Sequence, residues 1–234
     1  MPFYYYFDPT YSLVLIGLIL CVLASARVRS TYAKYARVRS RSGMTGKEAA
    51  ERILRGARIY DVRVEHVGGN LTDHYDPRSK VLRLSDATYQ SASVAAVGVA
   101  AHECGHAIQH TKGYAPLRIR SAIVPIANFG SAIAWPLILF GLLFNSRSSY
   151  MLIQIGIIAF SFAVLFQIVT LPVEFNASNR AVRILGESGI LSADELSMTR
   201  KVLGAAALTY VAGAASAILQ LLRIILLTGG RRRE

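Results

Sequence analysis

The stretch His102-Glu-Cys-Gly-His-Ala-Ile-Gln-His110 decides most of what this sequence predicts. It contains the pattern His-Glu-x-x-His, in which His102 and His106 are four residues apart. On a helix, side chains at this spacing lie on one face about one turn apart, so both imidazoles can reach one zinc ion. Glu103 points to the adjacent face, where it can take a proton from a water on the metal. The pattern therefore predicts a zinc site suited to peptide hydrolysis.

A helix is expected to carry this pattern. Residues 92–101, ASVAAVGVAA, are small and apolar, and no proline follows them before His110. A run of about ten apolar residues is too short to cross a bilayer and is typical of a buried helix. Gly105 lowers the helix propensity but leaves room for a close neighbour or a substrate. Cys104 points away from the two histidines, so we interpret it as part of the core and not as a ligand.

The composition predicts a membrane protein. Of the 234 residues, 53% are hydrophobic, and the mean hydropathy is positive. Residues 11–26, 121–145 and 150–171 are long and apolar enough to cross a bilayer. A fourth segment, 204–227, is rich in small residues that suit close helix packing, and it carries Arg223. A signal peptide is the alternative for the first segment, but it lacks a basic start, which favours an uncleaved anchor.

The net charge of +12 is concentrated next to the first apolar segment. The basic block at residues 27–41 contains no acid, and its members are Arg27, Arg29, Lys34, Arg37, Arg39 and Arg41. A nucleic-acid patch is the alternative, but the positive-inside rule explains a basic block beside an apolar span better. This rule predicts that residues 27–120 lie in the cytoplasm. A short loop at 145–149 would then return residues 172–203 to the same side.

The C-terminal segment conflicts with this rule. A full fourth span would place the arginines at 231–233 outside the cell. The segment therefore either lies within the cytoplasmic leaflet or spans the bilayer despite these charges. The two cysteines, Cys21 and Cys104, are not expected to form a disulfide, which fits a reducing compartment.

A helix and a small sheet are expected ahead of the motif. Thr45-Gly-Lys-Glu48 is a capping box that begins an amphipathic helix. Alternating segments at 62–67, 71–75 and 80–84 predict strands. An edge of this sheet could hold an extended peptide substrate, or the strands could be purely structural. Further on, residues 192–195 predict a second capping box at the start of another helix.

A catalytic zinc ion needs a third protein ligand. His110 lies about 12 Å along the helix axis from His102, too far for both to bind one ion. His66 and His74 fall in the predicted strands and are interpreted as surface or substrate-groove residues. Glu174 follows the third apolar segment, where a carboxylate is costly unless it is paired or metal-bound. A solvated acid at the membrane interface is the alternative.

The zinc motif, the apolar hairpin and Glu174-Phe-Asn-Ala-Ser178 together resemble the YugP-type neutral membrane zinc metallopeptidases, over essentially the whole chain. More distantly, the chain is similar to the HtpX and CAAX-prenyl-protease group. In that group the third ligand belongs to a Glu-(Phe/Tyr)-x-Ala-Asp pattern, which implies that Glu174 is a zinc ligand here. Ser178 stands where the group has an Asp that orients a zinc-binding histidine. With the charge asymmetry, the resemblance implies a bacterial plasma membrane, with the site facing the cytoplasm.

The predicted fold is mainly α: a polytopic helical membrane protein with a small cytoplasmic α+β, zincin-like catalytic region. The expected segments are an anchor at 1–26, the motif region at 27–120, a transmembrane hairpin at 121–171, a cytoplasmic helical segment at 172–203, and a membrane helix with a basic tail at 204–234. The expected cofactor is Zn²⁺, with His102, His106 and Glu174 as ligands and Glu103 as the general base. The expected partners are peptide or membrane-protein substrates and the lipid bilayer, without nucleic acid, and self-association into a homo-oligomer stays open.

Two other classes of protein share some of these features. A site-2-type intramembrane protease places the same motif in a spanning helix and uses an Asp from a Leu-Asp-Gly segment, which this chain lacks. A non-catalytic scaffold with a structural zinc ion would normally offer four protein ligands. For the oxyanion of peptide hydrolysis, Tyr210, His110 and Arg180 are candidate donors, and no spacing rule selects among them.

Overall fold

The computed structural model of the chain describes residues 8–144 and 147–229. The elements in order are α1 (Tyr11–Tyr35), α2 (Gly46–Gly56), β1 (Arg63–Val67), β2 (His74–Asp76), β3 (Val81–Ser85), α3 (Asp86–Tyr89), α4 (Val94–Thr111), α5 (Ala115–Leu143), α6 (Arg147–Glu187) and α7 (Ala193–Gly229). The chain is thus mainly helical with one small sheet, as predicted.

The chain divides into two compact units. The first, called the apolar unit here, comprises Met1–Ala24, Ile119–Leu171 and Thr209–Glu234. The second, called the motif unit, comprises Ser25–Arg118 and Pro172–Leu208.

Four helices, α1, α5, α6 and α7, are long and apolar enough to cross a membrane. Most residues in their apolar stretches are not buried within the protein, and large side chains such as Leu23, Phe129 and Leu139 are exposed. Outward-facing apolar side chains are expected where lipid replaces water as the surroundings. The four apolar segments expected from the sequence are therefore confirmed as helices.

Small residues bring the helices of the apolar unit close together. A Cβ atom added to Gly17 on α1 would lie 2.7 Å from Ser216 Oγ on α7. A Cβ atom on Gly156 of α6 would lie 2.6 Å from Ile138 Cγ1 of α5. Glycine at such contacts is typical of membrane helices, which associate largely through close packing.

The C-terminal part of α7 lies beside the start of α1. The Arg223 guanidinium is 3.7 Å from the Asp8 carboxylate and lies 4.2 Å from the centre of the Tyr11 ring. Because Gly17 and Ser216 also meet, α1 and α7 run antiparallel. The last apolar segment is thus part of a candidate span that packs against another candidate span, α1. The arginines at 231–233 lie outside the described residues.

Two helices are longer than the sequence predicted. The helix expected to begin at 192–195 and the membrane segment 204–227 form one continuous helix, α7. Likewise, α6 continues through Pro172, where the third span was expected to end. A proline removes one backbone hydrogen bond, which a long packed helix can tolerate. As a result, Glu174 lies inside a helix.

In the motif unit, the capping box of α2 is confirmed. The Thr45 side chain accepts from the Glu48 N–H at 3.2 Å, and the Glu48 carboxylate accepts from the Thr45 N–H at 2.8 Å. The apolar face of α2, including Ala49 and Ile53, is buried in the same core as α4. This core fixes one side of the motif helix.

The sheet has the order β1-β3-β2, with β3 parallel to β1 and antiparallel to β2. The three strands were predicted, but their order in the sheet, with β3 between β1 and β2, was not. β3 takes the centre because Val81, Leu82 and Leu84 are buried, whereas every residue of β1 and β2 is partly or fully exposed. The strand predicted from residue 71 begins only at His74, since Leu71 has a left-handed φ of 57° that ends extended backbone.

The predicted motif helix is confirmed as α4. Its N-cap is Ser93, whose side chain accepts from the Ala96 N–H at 3.2 Å. The first two turns are almost fully buried, including Val94 and Val97. A helix held this firmly by its core gives the histidines that follow a fixed direction.

Candidate metal centre

His102 and His106 leave α4 on the same side. Their ring centres are 4.8 Å apart, and the ring planes are nearly perpendicular, at 88°. Both side chains are largely buried, with 13% of each exposed. The spacing of four residues therefore brings the two imidazoles together, as the sequence pattern requires.

Glu174 approaches the two histidines from α6. Its Oε2 atom lies 3.4 Å from His102 Nε2 and 3.5 Å from His106 Nε2. The three potential ligand atoms all lie within 4.8 Å of one another. Two imidazole nitrogens and one carboxylate oxygen form the donor set of a catalytic zinc ion, which keeps a further position open for water or substrate. The residues present therefore fit zinc.

Gly105 explains how α4 and α6 come so close. A Cβ atom at this position would lie 2.7 Å from the backbone oxygen of Ala177 on α6. The sequence predicted room for a close neighbour at Gly105, and that neighbour is the α6 backbone. The glycine allows Glu174 to reach the histidines of the other helix.

His102 and His106 each have a polar side chain beside the Nδ1 atom, the ring nitrogen that does not face Glu174. Ser178 Oγ lies 3.1 Å from His102 Nδ1, and Gln109 Oε1 lies 3.1 Å from His106 Nδ1. Ser178 occupies the position at which the resemblance implies an orienting acid. Sequence reasoning missed Gln109, which is fully buried. Its spacing of three residues from His106 places the two side chains near each other on α4, but gives no sign of the contacts with α6.

The charges around the centre favour a cation. Burial of His106 lowers its pKa, but hydrogen bonding to Glu174 and the nearby charges of Glu103 and Glu174 outweigh burial and raise the pKa above its usual value. The acids that favour a proton here also favour a metal ion. Glu103 itself is buried, with 8% of the residue exposed.

Cys104 is part of the core, as predicted. It is fully buried, and its thiol donates to the Ala50 backbone oxygen at 3.6 Å. Burial and the Glu103 charge raise the pKa of the thiol, which keeps it protonated. A neutral thiol that points into the core is a poor metal ligand.

The remaining histidines lie outside this cluster. His66 is paired with Asp86 at 2.6 Å, and His74 Nδ1 lies 2.9 Å from the Thr72 backbone oxygen. His110 Nδ1 lies 2.9 Å from the Tyr75 hydroxyl. Among the described residues, none of these three histidines belongs to the group of potential ligands formed by His102, His106 and Glu174.

The other two candidate oxyanion donors have different surroundings. Arg180 donates from Nε to Asn176 at 2.6 Å, and its guanidinium lies 5.9 Å from the centre of the Tyr114 ring. Tyr210 lies on α7, within the apolar unit. The structure therefore does not single out an oxyanion donor.

Comparison with known proteins defines the class of this protein. Residues 10–229 match the family described as "Putative neutral zinc metallopeptidase", and the chain belongs to this family. The chain is also similar to the "Putative membrane protease YugP" of Bacillus subtilis (strain 168). The two are 47% identical over 222 residues, which cover 95% of this chain and 97% of that protein. No solved structure matches the chain significantly. The resemblance to the YugP-type family is confirmed, and the four apolar helices agree with a membrane protease.

Proposed function

We propose that this protein is a zinc endopeptidase that cuts peptide bonds at the cytoplasmic surface of a bacterial plasma membrane. The observation that carries the proposal is the convergence of His102, His106 and Glu174 from two helices, in a chain of a zinc metallopeptidase family. These three side chains would hold the metal. The single Glu of the motif, Glu103, would act as the base.

The chemistry divides between the metal and Glu103. Bound zinc would make a water molecule more acidic and polarise the carbonyl group of the scissile peptide bond. Glu103 takes a proton as the water oxygen bonds to the carbonyl carbon, and later gives it to the amine nitrogen when the C–N bond breaks. The products are a new carboxylate and a new amine. Glu103 is buried, and its charge is close enough to His106 to help raise the pKa of that imidazole, which supports a position near the metal ligands.

The substrate is proposed to lie extended along β2. Within the described residues, β2 pairs with β3 only, so its other edge offers backbone hydrogen-bonding groups. Tyr75 on β2 contacts His110 on α4, which holds this edge near the motif helix. Backbone pairing tolerates many side chains, so peptides and membrane proteins of varied sequence are suitable substrates.

The orientation rests on charge. The block from Arg27 to Arg41 directly follows the apolar stretch of α1 and is proposed to face cytoplasmic lipid headgroups, not nucleic acid. Antiparallel packing of α1 and α7 would then place Asp8 and Arg223 at the opposite face of the membrane. A site-2-type arrangement has less support, because α4 is not among the four candidate spans in the described part of the chain.

Cleavage of unfolded fluorescent casein by the full-length protein in detergent tests the proposal. The wild type should cut, Glu103→Gln should keep zinc without cutting, and Glu174→Ala should lose the metal. Glu187→Gln changes an exposed acid on the same helix as Glu174 and serves as the matched control, which should cut normally. Zinc is quantified in every preparation.

The outcomes separate the alternatives. Activity of Glu103→Gln equal to that of wild type would refute the base assignment. Full zinc content in Glu174→Ala would refute the third ligand and favour the non-catalytic scaffold. If the wild type holds zinc but does not cut casein, a set of membrane-protein substrates in vesicles provides the second assay.

A further inference from the structure

Gln109 is a buried amide that joins the two helices of the metal centre. It lies on α4 and is fully buried. Its Oε1 atom is 3.1 Å from His106 Nδ1, and its Nε2 atom donates to the Val173 backbone oxygen at 2.8 Å and to Asn176 Oδ1 at 3.0 Å. One side chain thus contacts a metal-ligand candidate on α4 and two residues on α6.

These contacts fix which way the amide faces. A backbone carbonyl oxygen can only accept hydrogen bonds, so the Gln109 atom that faces Val173 must be the NH₂ group. The amide oxygen then faces His106 Nδ1 and needs a donor there. Nδ1 of the neutral ring must therefore carry the hydrogen, which leaves the lone pair on Nε2, the nitrogen that faces Glu174 at 3.5 Å.

The same amide sets the position of the third ligand. Val173 directly precedes Glu174, so the hydrogen bond to its carbonyl ties the α6 backbone at the ligand to α4. Asn176 continues the network, because its Oδ1 atom also accepts from Arg180 Nε at 2.6 Å. The network therefore runs from His106 through Gln109 and Asn176 to a guanidinium group.

We propose that Gln109 is a positioning residue of the metal centre. It holds His106 in the tautomer that presents Nε2 and holds Glu174 of α6 at the distance that both histidines need. This role rests on the zinc site of the proposed function. Removing such a partner of a metal-binding histidine typically weakens metal affinity about 10–100-fold.

The first test measures zinc affinity by competition with a chromophoric chelator, using the full-length protein in detergent. Gln109→Met keeps the length of the side chain but removes both hydrogen-bonding functions, and its zinc affinity should fall about 10–100-fold. Ile108→Ala removes a buried side chain at the neighbouring position and serves as the matched control for lost stability. The zinc affinity of Ile108→Ala should stay within about threefold of wild type, because this substitution alters neither the ligand candidates nor their hydrogen bonds. The visible spectrum of the Co²⁺-loaded protein should change in Gln109→Met and not in Ile108→Ala.

A second measurement needs no change at Gln109. In the zinc-loaded, ¹⁵N-histidine-labelled wild type, with His106→Gln as the assignment reference, His106 should show a proton bound to Nδ1 and a metal-bound Nε2. A proton-free Nδ1, or equal zinc affinity of Gln109→Met and wild type, overturns the positioning role and leaves the proposed peptidase intact. Failure of the wild type to bind zinc overturns the proposed function instead.

Discussion

The two units of this chain place their large apolar side chains in opposite positions, outside in the apolar unit and inside in the motif unit. In the apolar unit, large side chains such as Leu139 face outward and glycines form the helix contacts. In the motif unit, large side chains such as Leu82 and Leu185 fill the interior. Water drives apolar side chains inward, whereas lipid gives no such drive, so membrane helices rely on small residues that allow close contact.

One feature of the apolar unit recurs in the motif unit. Gly130 of α5 packs against the backbone oxygen of Ala159 on α6, and Gly105 of α4 packs against the backbone oxygen of Ala177 in the same way. The helices that carry the ligand candidates in the motif unit thus approach each other as membrane helices do. The difference between the units concerns their large side chains and not how closely their helices can approach.

The largest expected effect comes from paired Leu→Ala changes. Leu82→Ala empties a fully buried position in the central strand and should destabilise the protein by about 2–5 kcal/mol. Leu139→Ala removes a side chain that is 55% exposed on α5 and should cost no more than about 0.5 kcal/mol. Thermal unfolding in detergent measures both. Equal losses of stability in the two variants would refute the contrast between a filled interior in the motif unit and outward-facing side chains in the apolar unit.

A smaller effect is expected from alanine at Gly105. Its Cβ atom would press on the Ala177 backbone, and overpacking of this kind costs about 1–3 kcal/mol. Because the strain falls between the helices that carry the ligand candidates, zinc affinity should drop about 5–150-fold, the factor to which a cost of about 1–3 kcal/mol corresponds.

Two glycines provide the comparison for Gly105→Ala. Gly204→Ala on α7 meets no neighbour within 4 Å and should leave zinc affinity unchanged. Gly130→Ala should lower stability without changing zinc affinity. If Gly105→Ala binds zinc as tightly as the wild type does, the close helix contact has no part in forming the metal centre.

The smallest effect is expected at Ser178. Ser178→Ala removes the hydroxyl beside His102 Nδ1, a hydrogen bond worth about 0.5–1.5 kcal/mol, so zinc affinity should fall no more than about tenfold. Ser161→Ala is the matched control on the same helix, since that hydroxyl donates to the Ile157 backbone oxygen within α6 and lies in the apolar unit. Ser178→Asp should bind zinc more tightly than the wild type, because a carboxylate is the stronger acceptor. Weaker binding by Ser178→Asp would contradict an orienting role for this position.

Much of the fold was predictable because its signals are local. Apolar length predicted the four long helices, and the capping box predicted α2. The centre of the sheet was not predictable in this way, since it depends on the burial of β3 beneath other elements. The continuity of α6 past Pro172 was missed because proline ends a helix in isolation but can be tolerated in a packed one.

The candidate site was predictable to a different extent for each residue. Spacing alone selected His102, Glu103 and His106. Glu174 was singled out by its place after an apolar segment, where a carboxylate is costly unless it is paired or metal-bound, and the resemblance to a family added to that assignment. The structure brings the three ligand candidates together, and their roles stay predictions. Gln109 was missed because its partners, Val173 and Asn176, lie on a helix far along the chain, and no spacing rule connects them.

The contact between Asp8 and Arg223 also bears on how the protein is made. It joins Asp8, just before α1, to the last described helix, across nearly the whole chain. A contact of such high sequence separation forms late, because the last helix must be synthesised before the first can find it. During synthesis α1 is therefore present before α7, its final neighbour. A chain that ends before α7 would lack Arg223, the residue whose charge opposes that of Asp8.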